Sequence, residues 1–124
     1  MQRTRFEIDG DVRQDRRRRP RVTVAVPFRL YDDRDRLLLH ARTLDLSTGG
    51  ALLHGVCKAD VGSAVRVEIS RGAARNPLTL RATVIRRHAP ADETPGNHGV
   101  AIRFEAISSI DETVLAGIIR DARA

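Results

Sequence analysis

Residues 22–30 read Val-Thr-Val-Ala-Val-Pro-Phe-Arg-Leu, and the period in them is two. Val22, Val24, Val26, Phe28 and Leu30 share one face, while Thr23, Ala25 and Arg29 share the other. A strand with that alternation buries one side and wets the other. Pro27 brings no N–H to a ladder, which predicts a bulge or a sheet edge there.

Working toward the C-terminus, Asp32-Asp33-Arg34-Asp35 forms a polar turn, and Arg36 to Leu46 reads as a second strand closing a hairpin with the first. Three consecutive leucines, Leu37 to Leu39, leave the facing of that strand open. It ends in Asp45-Leu46-Ser47-Thr48-Gly49-Gly50, followed by the short apolar run Ala51-Leu52-Leu53. Paired glycines between strands predict a turn that needs positive φ or close backbone approach. Residues 63–71 alternate again, with Val65, Val67 and Ile69 on one face. After Asn76-Pro77, Leu78, Leu80, Ala82 and Val84 oppose Thr79, Arg81, Thr83 and Ile85. Residues 89–97 hold two prolines and a glycine and read as a loop, and Val100, Ile102 and Phe104 line a last strand.

The period then changes. Ser109 and Glu112 have the spacing of a capping box, which predicts a helix starting there. Ile110, Val114 and Ile118 form its stripe, widened by Leu115, Ile119 and Ala122. About six short strands with regular turns, then one helix, argue an all-β fold: an antiparallel barrel or strongly curled sheet with a helix packed on it.

Toward the N-terminus the chain becomes basic. Arg16-Arg17-Arg18-Arg19-Pro20-Arg21 puts five guanidiniums in six positions, a density that needs an anion or open water to relieve it. Residues 1–15 show no period and read as a flexible lead-in, leaving 16–124 as the folded domain with its basic arm. The net charge is +6, carried by 21 arginines and the single Lys58. Eight arginines against four carboxylates place +4 of it in residues 1–21, so the excess is localised rather than spread over the surface.

Composition narrows the function classes. A 124-residue chain with 41% hydrophobic and 31% charged residues is the size and balance of one globular domain. No apolar run reaches the roughly 20 residues of a membrane span, and none follows Met1 as a secretory signal would. Cys57 stands alone, which rules out a disulfide framework and fits a reducing compartment, so a soluble cytoplasmic protein is expected. His40, His54, His88 and His98 lack metal-ligand spacing. Ser47 lies near an acid and His54, but the nucleophile-elbow pattern is absent, and no enzyme is expected.

Two short motifs carry a family resemblance. Arg17-xxx-Arg21 precedes the first strand, and Asp45-x-Ser47-xx-Gly50 ends the second, in the form RxxxR … (D/N)xSxxG about one hairpin apart. Gly99-Val100-Ala101-Ile102-Arg103-Phe104 adds a glycine-led last strand. Over roughly residues 15–122 the chain resembles the PilZ domain family, bacterial receptors for cyclic di-GMP. The resemblance implies a six-stranded antiparallel β-barrel with a C-terminal helix. It also implies a ligand site made of Arg17, Arg21, Asp45, Ser47, Gly49 and Gly50. Arginine's planar fork suits both phosphates and the O6/N7 edge of guanine, and it stacks on a purine face. Arg16, directly before the motif, is a position associated in this family with a mutually intercalated dimer of the nucleotide. The implied protein is a receptor or adaptor without a cofactor, passing ligand occupancy to a separate effector protein in motility, polysaccharide export or transcription, as a monomer or weak homodimer. Two other classes fit the residues less well. A small nucleic-acid-binding barrel would need more than Phe6, Phe28, Phe104 and Tyr31 to stack bases, and a PilZ-like module that only binds protein would not need the motif side chains.

Overall fold

The computed structural model describes residues 22–73, 75–87 and 99–123. Six strands, β1 (Pro27–Tyr31), β2 (Leu37–Leu46), β3 (Gly50–His54), β4 (Ala64–Ile69), β5 (Leu78–Arg87) and β6 (Gly99–Glu105), precede one helix, α1 (Ser109–Arg123). Every pairing is antiparallel, and the strands close into a barrel in the order β1-β2-β3-β6-β5-β4. Closure removes the free edges an open sheet would present.

The interior is aliphatic, as the scarcity of aromatics requires. Phe28, Leu30, Leu53, Val67, Ile69, Val84 and Ile102 are fully buried, and the rings of Phe28 and Phe104 meet with centroids 6.5 Å apart. A bulge resolves the three leucines. Leu30 pairs with Leu39 and Tyr31 with Leu37, so Leu38 is the extra residue, Leu37 faces out and Leu39 packs against the core. A second bulge at Ile85 lets Val84 point inward while Arg86 pairs with Ala101 on the outside.

Three expectations need correction. The first strand does not run from Val22. Ladder pairing begins at Pro27, and Val22 makes only an isolated bridge to Leu46. Between them Val26 N–H donates to the Thr43 hydroxyl at 2.9 Å instead of to a carbonyl of β2, and the Thr43 hydroxyl donates to Val24 C=O. Val24 and Val26 are nevertheless buried, so the alternation held while the regular ladder did not. The helix cap is Ser108, one residue before the one expected. Its Oγ accepts from Asp111 N–H at 3.0 Å, and its carbonyl takes the first helical bond from Glu112 N–H at 2.8 Å. Finally, Ile110 is 76% exposed and Ala122 is exposed, while Leu115 and Ile119 are the helix residues that enter the core. Asp111 and Glu112 in the first turn, with Arg120 and Arg123 in the last, complement the helix dipole.

Residues 1–21 and 88–98 lie outside the described residues, and with them the expected lead-in, the basic arm and the loop over 89–97.

Candidate functional site at the turn between β2 and β3

Asp45 owes its place to a bulge. Thr43 pairs with Leu53 and Asp45 with Leu52, leaving Leu44 extra. Strict alternation from the inward-facing Thr43 would turn Asp45 into the barrel and Leu46 out of it. With the extra residue, Leu46 is fully buried and Asp45 sits half-buried at the rim of the outer face.

Ser47 starts the turn and is consumed by it. Its N–H donates to Gly50 C=O at 2.9 Å, and its Oγ accepts from the N–H groups of Gly49 at 3.1 Å and Gly50 at 3.3 Å. The residue is only 4% exposed. The hydroxyl therefore shapes the turn, a use these residues often have between strands. Gly50 answers the question left by the paired glycines. A Cβ there would fall well inside 3.0 Å of the Ile102 carbonyl oxygen, so close approach of β3 to β6 is the requirement. On the other side of the turn, Phe104 N–H donates to Gly49 C=O at 2.9 Å.

The described chain begins beside this turn. Val22, the residue after Arg21 in the chain, exchanges both backbone hydrogen bonds with Leu46, at 3.0 and 2.9 Å. That bridge fixes Val22 opposite Leu46, the residue between Asp45 and Ser47. Arg16, Arg17 and Arg21, together with Arg18 and Arg19, lie outside the described residues.

From the turn, the outer face continues over β6 and β5. Gly50 is the Cα partner of Arg103, and Arg103 of Thr83. Arg103 Nε and Nη2 both lie 3.0 Å from Glu105 Oε2. A hydrogen bond from Thr83, then the Arg103 guanidinium, hold the Glu105 carboxyl below its ordinary value. Ala101 occupies the next outward position, beside Leu52, and is only 1% exposed. Thr43 and this Arg103–Glu105–Thr83 chain were not singled out from sequence. A polar residue on the inward face of β2 and an arginine alternating with Ile102 and Phe104 were the available signals.

No three His, Cys, Asp or Glu side chains among the described residues are grouped to hold a metal. Cys57 is buried and unpaired, as a small core filler would be. The cavities of 530, 650 and 680 Å³ lie at α1 and residues 70–75, at β4 and β5, and near residues 58–60; Asp45, Ser47 and Gly50 line none of these three. Beside the motif turn lies Val22, bridged to Leu46.

A closed six-stranded antiparallel barrel, a C-terminal helix and an approach segment bridged to an Asp-x-Ser-x-x-Gly turn together define a narrow class of small β domain. The model of the PilZ domain matches residues 15–121, and the chain belongs to that family. No curated protein matches the sequence. Among solved structures, the PilZ domain of Escherichia coli YcgR with c-di-GMP superposes with a TM-score of 0.69 at 20% identity, over 88% of this chain and 92% of that one. The Bacillus subtilis inhibitor of motility MotI/DgrA gives 0.67 at 14% identity, over 88% of this chain and 51% of that one. The structure of YcgR in complex with c-di-GMP gives 0.67 at 23% identity, over 87% and 48%. The chain therefore spans about half the length of MotI/DgrA and of that YcgR chain. At these identities the likeness establishes the fold. No helix among the described residues is long and apolar enough to cross a membrane.

Proposed function

We propose that this chain is a receptor for cyclic di-GMP that works by binding rather than by catalysis. One observation carries the reading: the Val22–Leu46 bridge sets the residue that follows Arg21 in sequence against the strand bearing Asp45. Membership of the PilZ family supports it, as do YcgR structures that hold the nucleotide. In this reading Arg17 and Arg21 bind phosphate oxygens and guanine edges, which suits their planar donor fork. Asp45 accepts from guanine N–H groups or holds an arginine. Ser47, Gly49 and Gly50 shape the surface on which the ligand lies. Arg16 stacks on a second nucleotide, giving two ligands per protein. Ligand held by the charged segment changes the surface offered to a separate effector protein in the cytoplasm, in a motility or biofilm pathway.

The test is calorimetric titration of the purified protein with cyclic di-GMP, repeated on Arg17→Ala and Arg21→Ala. Binding at two nucleotides per chain is expected for the wild type, with loss in both variants and an unchanged melting temperature of the empty protein. Wild-type affinity in both variants refutes the site, and a ratio of one refutes the dimer.

A further inference from the structure

We propose that Arg103 is a guanine-reading residue of this site, held in its reading pose by Glu105; the inference rests on the cyclic di-GMP reading and goes beyond its motif residues. Four observations carry it. First, position: Arg103 is the cross-strand partner of Gly50, and its neighbours Ile102 and Phe104 face the core, so its side chain stands on the outer face beside the motif turn. Second, packing: Gly50 has no side chain and β3 lies close on β6 there, so the backbone of the motif turn comes directly beside Arg103. Third, span: Asp45 and Arg103 are separated by two strand spacings and two residues along a strand, which is roughly 12 Å for spacings of ~4.8 Å and rises of ~3.3 Å. Two side chains reaching inward across that span can close on the two ends of a dinucleotide.

The fourth observation is the orientation of the guanidinium. Nε and Nη2 are both committed to Glu105 Oε2 at 3.0 Å, and Glu105 is itself held by Thr83. That uses the side edge of the fork. Nη1, with the remaining N–H of Nη2, makes no bond to a described residue and forms the end edge, two parallel donors on a side chain that is 59% exposed. Guanine offers two acceptors, O6 and N7, at the matching spacing. Adenine puts an N6 amino donor where O6 would be, so the same edge discriminates against it. The carboxylate also neutralises Arg103, which leaves the phosphates to the arginines before Val22 and suits Arg103 to a neutral base.

The experiment is titration of the wild type, Arg103→Ala, Arg103→Lys and Glu105→Gln with cyclic di-GMP and, in parallel, cyclic di-AMP. Arg103→Ala is expected to weaken cyclic di-GMP binding about tenfold to a hundredfold and cyclic di-AMP far less, so that discrimination between them collapses. Arg103→Lys restores charge without the paired donors and is expected to leave discrimination lost. Glu105→Gln, which frees the guanidinium, is expected to fall between wild type and Arg103→Ala. Melting temperatures of the empty variants separate these losses from unfolding. Wild-type affinity in Arg103→Ala, or equal weakening for both nucleotides, overturns the base-reading role; unchanged discrimination in Glu105→Gln overturns the anchoring. A wild type that binds neither nucleotide is a different failure, because it removes the receptor reading itself.

Discussion

Gly50→Ala tests whether the motif glycine serves the fold before it serves any ligand. The added Cβ would fall well inside 3.0 Å of the Ile102 carbonyl oxygen and 3.3 Å from Arg103 Cα. Both obstacles are backbone atoms of β6, and no side-chain rotation relieves them. Overpacking typically costs about 1–3 kcal/mol, and a backbone obstacle inside a closed barrel places the cost in the upper part, about 2–3 kcal/mol. At an interpolated 3–5 °C per kcal/mol for a domain of this size, the melting temperature should fall by ~6–15 °C. The assay is a thermal melt of the empty protein followed by circular dichroism. Gly117→Ala is the internal control, because among the described residues outside the helix backbone its Cβ would approach only Arg120 Nη2, at 3.5 Å, and alanine is favoured in a helix by up to about 1 kcal/mol. It should hold or raise the melting temperature. A Gly50→Ala protein that melts with the wild type, or that loses only ligand affinity, refutes the packing argument.

Two further predictions concern groups that the motif does not contain. Thr43→Val keeps the shape of a buried side chain but removes the acceptor of Val26 N–H and the donor to Val24 C=O, so a loss of about 1–3 kcal/mol is expected in urea unfolding, and a midpoint equal to that of the wild type would show that residues 24–26 do not depend on it. Glu105 has a carboxyl held below 4.5 by Thr83 and Arg103; its contribution to stability is therefore present in full above that pH and lost as the pH falls through the lowered value. Melting temperatures of Glu105→Gln should lie below those of the wild type near pH 6–7 and converge with them as the pH falls below the ordinary carboxylate range, and a constant gap across that descent contradicts the linkage.

How much of this was legible in the sequence differs between elements for physical reasons. Residues 63–71 and 78–85 were readable because each side chain faces either a dry interior or water, and period two follows directly. Residues 22–26 alternate just as cleanly, yet two of their backbone groups bond to a side chain, Thr43, and nothing in the local pattern reveals a partner seventeen residues away from Val26. The leucines at 37–39 were undecidable because the bulge that sorts them depends on the register of β1 against β2. The helix start at Ser109 was legible, but the cap was placed one residue late, because Ser108 and Ser109 both offer a hydroxyl and it is Ser108 that Asp111 N–H meets. At the site, Asp45 and Gly50 were found through the motif. Arg103 was not, since its relevance comes from being Gly50's neighbour across strands that lie about fifty residues apart in the chain.

One strand organises the whole site. β2 receives the approach segment at three points: Thr43 holds residues 24 and 26, and Leu46 bridges Val22. The same strand carries the bulge that turns Asp45 outward, and it ends in the turn that Ser47 locks. Regular pairing with β2 begins only at Pro27, opposite Arg42. A ligand bridging the residues before Val22 to Asp45 therefore pulls on two ends of one structural unit, so any signal of occupancy should appear first in β2 and the β2–β3 turn. Backbone amide exchange offers a direct reading: protection gained at Val22 and Leu46 on ligand binding, before any at Leu115 or Ile119, is the order this connectivity requires.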